Sequence, residues 1–235
     1  MEAAFRALLA SCSVGRRRQP QEGDTVRDEG IRTSETDPIQ ADFLPDDEVQ
    51  TPGRLGMTFA PGMRTTGMRG RWERDLTADL RALEEEHETD VLVSLMEDHE
   101  YHGYWISELL ERDRIGSIKI LRFAIKDMGV PREAESERFE AFVQDVVECL
   151  EQGQNVVVHC RGGLGRTGTL AACVLVALGR HSADEAIAAV RAARKGTVQT
   201  REQEDFVRSS KRLFGLGETR ESPDDGGGER HARRQ

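Results

Sequence analysis

The sequence has few cysteines, no long apolar run and no excess of positive charge, and each deficit excludes a class of protein. Only 4 of the 235 residues are cysteines, and none show the C-x2-C spacing of a metal site, so we expect no metal and no cofactor. No apolar run reaches the roughly 18 residues that indicate a membrane-spanning helix. The formal net charge is -10 and no basic stripe is present, which argues against a nucleic-acid-binding protein.

The remaining composition fits one folded domain between polar tails. Hydrophobic residues make up 37% of the chain, enough for one core, and charged residues make up 32%. We predict a disordered N-terminal tail over residues 1–37, a folded domain over 38–214 and a disordered C-terminal tail over 215–235. Near the N-terminus the arginines follow the apolar stretch, the reverse of a secretory signal. We therefore expect a cytoplasmic protein. We also expect a monomer.

Strands and helices alternate along the predicted domain, which predicts an α/β sandwich with a largely parallel sheet. The predicted strands cover residues 39–44, 54–60, 90–96, 118–123 and 155–159. The predicted helices cover residues 73–87, 100–114, 134–152 and 170–178, followed by two that begin with the capping boxes Ser182-x-x-Glu185 and Thr200-x-x-Gln203. Pro61, Gly62 and Gly67 predict a loop.

The most informative stretch is VVVHCRGGLGRTG, residues 156–168. A β-branched strand leads into a glycine-rich loop and then into an apolar helix, which is the arrangement of an anion-binding site. Cys160 lies at the start of this loop, where inward-facing amides and the Arg166 guanidinium would favour the nucleophilic thiolate. The alternative is a buried core cysteine in an ordinary strand–helix turn, but such a turn needs neither three glycines nor an arginine.

Each loop residue suits the chemistry of phosphate transfer. The planar fork of Arg166 pairs two phosphoryl oxygens. The Thr167 hydroxyl is placed to donate to the sulfur, and His159 to support the loop through a hydrogen bond to backbone. We predict that the phosphate is bound by Arg161, Gly162, Gly163, Leu164, Gly165 and Arg166.

A leaving alkoxide or phenolate needs a proton, so a general acid should lie on a facing loop. The candidates are Asp98, Asp113, Asp127 and Asp145. We favour Asp127 because it follows a predicted strand, at the sheet edge where ligands gather. Asp98 is the second choice.

The string HCRGGLGRTG resembles the catalytic loop of the cysteine-dependent protein phosphatases, in their dual-specificity branch. RLGMTFAPGMR (residues 54–64) and GTVQTREQ (residues 196–203) are similar to segments of the kinase-associated, cyclin-dependent kinase inhibitor 3-like phosphatases. The resemblance covers residues 39–214. It implies a protein-tyrosine-phosphatase-like fold, agrees with Asp127 as the acid, and assigns a substrate- or water-positioning role to Gln199 and Gln203, for which a plain helix start is the alternative.

The leading hypothesis is a phosphoprotein phosphatase that acts through a phosphocysteine on phosphoserine, phosphothreonine or phosphotyrosine, with a kinase among the candidate substrates. The same mechanism on a phosphoinositide, a nucleotide or an RNA 5′-phosphate is the second hypothesis, and a catalytically silent phosphate-binding module is the third. Arg64, Arg69 and Arg71 form a basic patch that could contact a phosphopeptide or simply be solvated. Cys149 and Cys173 are expected in the core, with a disulfide to Cys160 as an alternative.

Overall fold

The computed structural model describes residues 30–67 and 70–214. Its strands, in chain order, are β1 (Asp42–Phe43), β2 (Leu55–Thr58), β3 (Arg64–Gly67), β4 (Gly70–Glu73), β5 (Val91–Ser94), β6 (Arg114–Ile115), β7 (Ile118–Arg122) and β8 (Val156–His159). Its α-helices are α1 (Asp46–Val49), α2 (Leu76–Glu85), α3 (Asp98–Gly103), α4 (Glu108–Glu111), α5 (Ser136–Glu151), α6 (Gly165–Ala177), α7 (Ala183–Ala193) and α8 (Arg201–Leu213). Within those ranges, no helix is both long and apolar enough to cross a membrane.

Six strands form the central sheet in the order β1-β2-β8-β5-β7-β6. The four inner strands are parallel, and the two edge strands pair antiparallel with their neighbours. The sandwich with a largely parallel sheet is therefore confirmed. Because β8 lies between β2 and β5, the segment that leaves its carboxyl end starts from the middle of the sheet.

Helices cover both faces of the sheet, and the alternation of side chains along each strand divides the core in two. Val156 and Val158 pack with α5, α6 and α7, whereas Val157 between them packs with α2 and α4 on the other face. The apolar stripe of α5 and the almost wholly buried α6 explain the larger of the two clusters.

The parallel register aligns the carboxyl ends of four strands. Thr58, His159, Ser94 and Arg122 lie side by side across the sheet. The loops that follow these residues therefore leave from one edge, where ligands bind in sheets of this kind.

Three predicted elements differ from the structure. The predicted loop after residue 60 contains the hairpin of β3 and β4, whose short strands lack a hydrophobic alternation. The predicted helix over 100–114 is two short helices, because the chain turns at Trp105 with a positive φ of 64°. The predicted helix over 170–178 begins earlier, at Gly165, inside the glycine-rich loop. The capping boxes at Ser182 and Thr200 are present.

Residues 30–37 belong to the predicted N-terminal tail, yet the structure describes them as bonded to the domain. Arg32 pairs with β4 through hydrogen bonds to the Arg71 carbonyl (2.9 Å) and from the Glu73 amide (3.0 Å). The carbonyl of Asp37 accepts a 2.6 Å hydrogen bond from the buried Arg74 guanidinium. Polar composition alone suggested disorder, but backbone pairing and a buried cation hold this segment. The rest of the predicted tails, residues 1–29 and 215–235, lies outside the described residues.

Candidate active site

The segment from β8 to α6 forms a tight loop against β2. Gly163 has a φ of +67°, and a Cβ added there would lie 2.1 Å from the carbonyl oxygen of Thr58. Only glycine satisfies both constraints, which is why the sequence needs it at this position. No side chain caps the start of α6, so the first amides of this helix are available to an anion.

Cys160 lines a cavity of about 530 Å³ and is 3% exposed. The side chains of Arg166 and Asp127 line the same cavity, as do Arg161, Gly162, Leu164 and Gly165 of the loop. The structure therefore brings the predicted nucleophile, the predicted phosphate-binding arginine and the favoured acid to one place. Asp98, the second choice for the acid, is the exposed first residue of α3 and is not among the cavity-lining residues.

The Arg166 side chain is buried and held on several sides. Glu100 accepts two hydrogen bonds from it, at 2.6 Å (Nη1 to Oε2) and 2.9 Å (Nη2 to Oε1). The Ile125 carbonyl accepts a third, at 3.0 Å from Nη1. Burial alone would lower the pKa of Arg166, but hydrogen bonding to Glu100 and the charges of Cys160, Glu100 and Asp127 outweigh it and raise the pKa above its ordinary value. The guanidinium is therefore a fixed, permanent cation.

Glu100 was not predicted as a site residue. It is 6% exposed and lies on α3, where it also accepts a hydrogen bond from the Glu97 amide at 2.9 Å. Burial acts to raise the pKa of Glu100, but the hydrogen bonds from Arg166 and the Glu97 amide, together with the Arg166 charge, lower it. The only sequence signal was a capping-box pattern among other acidic residues, which does not distinguish this carboxylate from its neighbours.

Asp127 lies on the loop after β7, opposite the cysteine loop. One carboxylate oxygen is 3.0 Å from Nη2 of Arg166 and accepts a hydrogen bond from the Met128 amide, also at 3.0 Å. The side chain is 51% exposed, so it faces both the cavity and solvent. By contrast, Asp113 pairs with Arg122 at the surface and Asp145 lies on an exposed position of α5.

His159 and Thr167 flank the loop and are both fully buried. Nδ1 of His159 donates to the Cys160 carbonyl at 3.3 Å. Burial lowers the pKa of His159 to about 4, and the nearby Arg166 charge adds to this effect, so the ring is neutral at pH 7. The Thr167 hydroxyl has no hydrogen-bond partner among the described residues.

The outer side of the loop is supported by side chains from the helical layer. Arg194, at the end of α7, donates to the Gly163 carbonyl at 2.8 Å and pairs with Asp42 of β1. Gln203 accepts from the Gln199 amide at 2.9 Å and donates to the Gly129 carbonyl at 3.1 Å. It thus connects the start of α8 to the Asp127 loop, whereas Gln199 lines the cavity itself.

A buried ion pair braces the opposite wall of the cavity. Arg74 and Asp79 make two hydrogen bonds, at 2.7 and 2.8 Å, and Asp79 also accepts one from the Gly62 amide. The Arg74 guanidinium lies over the rings of Phe59 and Trp72, which line the cavity. This wall was not predicted, because it joins the N-terminal segment, a loop and a helix.

The remaining cysteines that the structure describes are free and buried. Burial raises the pKa of Cys149, and it raises the pKa of Cys173 to about 12, so neither thiol is easily ionised. In the predicted basic patch, Arg64 and Arg71 lie on the β3–β4 hairpin, while Arg69 and Cys12 lie outside the described residues.

Comparison with known proteins decides the family. The family model for the Swiss Army Knife protein, DSP-PTPase phosphatase domain, matches residues 68–207. The chain belongs to this phosphatase family. The resemblance to the dual-specificity branch is thereby confirmed, and with it the assignment to the cysteine-dependent phosphoric monoester hydrolases.

Individual relatives of this phosphatase domain are similar over different lengths. Cyclin-dependent kinase inhibitor 3 from Rattus norvegicus is 29% identical, and the match covers 77% of this chain and 82% of that protein. Protein tyrosine phosphatase domain-containing protein 1 from Danio rerio is 43% identical, but over 37% of this chain and only 12% of that protein. The chain therefore spans about an eighth of the second relative.

Solved structures of phosphatases share the fold. Kinase-associated phosphatase with its catalytic-site cysteine replaced by serine has a TM-score of 0.66 at 24% identity, over 76% of this chain and 97% of that one. Tk-PTP in its active form has a TM-score of 0.50 at 28% identity, over 69% and 92%. These likenesses confirm a protein-tyrosine-phosphatase-like architecture for the domain.

Proposed function

We propose that this phosphatase hydrolyses phosphoproteins through a phosphocysteine at Cys160. The observation that carries the proposal is the convergence of Cys160, Arg166 and Asp127 on one cavity, with the Asp127 carboxylate 3.0 Å from the arginine. A nucleophile, a fixed cation and an acid are the three components that phosphate-ester cleavage requires.

In the first step the Cys160 thiolate attacks phosphorus, so that an S–P bond forms while the ester P–O bond breaks. Asp127 gives its proton to the leaving oxygen. Arg166 and the loop amides bind the equatorial oxygens of the transferring phosphoryl group, where charge is spread in the transition state. Because Glu100 holds the guanidinium beforehand, little reorganisation is needed during the reaction.

In the second step water attacks the phosphocysteine. Asp127, now ionised, takes a proton from the water, an O–P bond forms and the S–P bond breaks. The Thr167 hydroxyl, which lacks another partner among the described residues, donates to the departing sulfur. Neutral His159 supports the loop through the Cys160 carbonyl and takes no proton. Inorganic phosphate leaves and the enzyme returns to its starting state.

The substrate that we propose is a protein phosphorylated on serine, threonine or tyrosine. Phe59 and Trp72 on one wall of the cavity provide apolar area against which the side chain of the phosphorylated residue can pack. One relative is named cyclin-dependent kinase inhibitor 3, and on that name we include a kinase among the candidate substrates. No observation in the cavity specifically favours a phosphoinositide, a nucleotide or an RNA end.

The test is hydrolysis of matched phosphopeptides that carry phosphotyrosine, phosphothreonine or phosphoserine in one sequence. We expect the wild type to release phosphate and vanadate to inhibit it, while Cys160→Ser is inactive. A Cys149→Ser variant is the matched control and should remain active. Lack of activity in the wild type on every peptide and on aryl phosphates would contradict the proposal.

We also propose that the catalytic domain spans residues 38–214, with residues 30–37 as an attached segment. We further propose that it works as a monomer. The proposed compartment is the cytoplasm, where a reactive thiol stays reduced. A truncated protein that begins at residue 30 should be more stable to heat than one that begins at 38, because the second loses the Asp37 contact to Arg74. Light scattering tests the oligomeric state, and cell fractionation tests the compartment.

A further inference from the structure

The large hydrophobic side chains that are exposed within the described ranges are Ile31, Trp105 and Met128. Met128 lines the cavity, and Ile31 precedes Arg32, which also lines it. Trp105 lines a neighbouring groove of about 550 Å³, and Thr65 and Trp72 are shared by the groove and the cavity. An exposed methionine in the cavity and an exposed tryptophan in the adjoining groove indicate a contact surface.

Trp105 is the most unusual residue of this surface. Its side chain is 75% exposed, and its φ of 64° lies in the left-handed region that non-glycine residues rarely adopt. The flanking positions hold it there, because Ile106 is fully buried and the Tyr104 carbonyl accepts a 3.1 Å hydrogen bond from the Arg64 amide. A strained backbone that displays a tryptophan to solvent suggests a functional role.

Two arginines contact Tyr104, the residue before Trp105. The Arg161 guanidinium lies 5.1 Å from the centre of the Tyr104 ring, and Arg64 is bonded to the Tyr104 backbone. In the described part of the chain, neither arginine has a carboxylate within salt-bridge distance, whereas Arg71 and Arg194 are paired with Glu73 and Asp42. Positive charge that is not matched by a carboxylate thus lies next to exposed aromatic area.

We propose that Arg64, Tyr104, Trp105 and Arg161, here called the docking strip, bind the polypeptide that flanks the phosphorylated residue. An acidic side chain of the substrate pairs with Arg64, and an apolar side chain packs on Trp105. The strip is continuous with the cavity through Arg161, so one extended segment can reach both. This inference rests on the proposed phosphatase function and adds a sequence preference to it.

A lipid surface is the other occupant that aromatic and cationic side chains can fit. The charge of the protein argues against it: the net charge is -10, and Glu73 and Asp37 lie close to the strip and the cavity. An anionic membrane would repel such a surface, whereas one acidic side chain can pair locally with Arg64.

The test compares kcat/KM on four phosphopeptides. Beside the phosphoresidue they carry either an acidic residue or lysine, and at a neighbouring position they carry either leucine or alanine. Wild type should prefer the acidic, leucine-containing peptide. Arg64→Glu should lower kcat/KM on that peptide about fivefold, which is the size of effect expected for an exposed charge pair. The same variant should raise kcat/KM on the lysine peptide. Trp105→Gly, in which glycine suits the positive φ, should lower kcat/KM on the acidic, leucine-containing peptide about tenfold. Most of this loss should come from the lost contact with the leucine, so the preference for leucine over alanine should disappear. Arg81→Glu, at an exposed arginine of α2, is the matched control and should change neither preference.

Hydrolysis of p-nitrophenyl phosphate separates this proposal from the proposed function. Both docking-strip variants should keep wild-type activity on that substrate, which does not reach the strip. If wild type cleaves the aryl phosphate but the peptide preferences are absent or survive Arg64→Glu and Trp105→Gly, the docking strip is wrong while the phosphatase function stands. If instead the two variants lose binding to phosphatidylcholine vesicles containing a phosphoinositide and leave peptide hydrolysis unchanged, the strip is a lipid contact and the proposal is overturned.

Discussion

The carboxylate of Glu100 holds both terminal nitrogens of Arg166, although the two residues are 66 positions apart in the chain. The pair is almost completely buried, with side-chain exposures of 6% and 1%. A buried charge needs an oppositely charged partner, because an unpaired buried ion strongly destabilises the folded state. The relationship therefore serves stability and also fixes the direction of the guanidinium that faces Cys160.

Removal of the Glu100 charge should reduce both activity and stability. Glu100→Gln leaves Arg166 without its main counter-charge, and we expect kcat/KM to fall about a hundredfold through misplacement of the guanidinium. The free energy of unfolding should fall by about 3 kcal/mol, as when one partner of a buried pair is removed. Glu97→Gln, a change in the same capping box that does not touch Arg166, is the control. Equal effects of the two substitutions would mean that capping alone matters.

Asp127→Asn should lower kcat/KM, which reports the formation of the phosphocysteine, by about a hundredfold to ten-thousandfold on substrates with poor leaving groups, the usual range for loss of a general acid. The loss should shrink as the leaving-group pKa falls, because a stable phenolate needs no proton. Vanadate binding should survive, since Arg166 keeps its pair with Glu100. The kcat/KM values on a series of substituted aryl phosphates measure this dependence, and a loss in kcat/KM that is the same across the series would show that Asp127 is not the general acid.

Burial of His159 should make the stability of the domain depend on pH. Its pKa is lowered from 6.5 to about 4, so the unfolded state binds more protons between these values. The stabilisation is fully present above pH 6.5 and is lost as the pH falls toward 4, a change of about 3 kcal/mol. Denaturant titrations from pH 4 to 7 should show this fall in the wild type and less of it in His159→Asn. The same slope in both proteins would show that other groups cause it.

Two neighbouring glycines of the catalytic loop should respond differently to alanine. Gly163→Ala places a Cβ against the Thr58 carbonyl at a positive φ and should cost about 2 kcal/mol or more, with loss of activity. Gly162→Ala meets nothing within 4 Å and should fold normally. Thermal unfolding and vanadate affinity of both variants provide the comparison. Similar stability of the two would contradict the account of this loop.

The features that could be predicted from the sequence are those formed by residues close together in the chain. β8, the glycine-rich loop and α6 are contiguous, so residue type and spacing were enough to locate Cys160 and Arg166 together. Glu100 was missed because its importance arises from a contact distant in sequence. The break at Trp105 was missed because a tryptophan gives no sequence signal for a left-handed turn; in the fold, this turn precedes the fully buried Ile106.

The walls of the cavity could not be predicted for the same reason: they are formed by contacts between residues that are distant in the chain. Residues 30–37 are polar enough to suggest disorder, and only tertiary contacts with β4 and Arg74 reveal that they belong to the domain. The Arg74–Asp79 pair is likewise not visible in sequence, where an exposed ion pair would look the same. Side chains that act through distant partners are recognised only in the folded structure.

The most direct test of the central claim is to trap the phosphoenzyme. After rapid acid quenching during turnover, peptide mass spectrometry should find one phosphoryl group on the peptide that contains Cys160, and Asp127→Asn should accumulate more of it on a substrate with a good leaving group. Cys160→Ser should carry none. Turnover without any phosphorylated Cys160 peptide in wild type or Asp127→Asn would contradict the account.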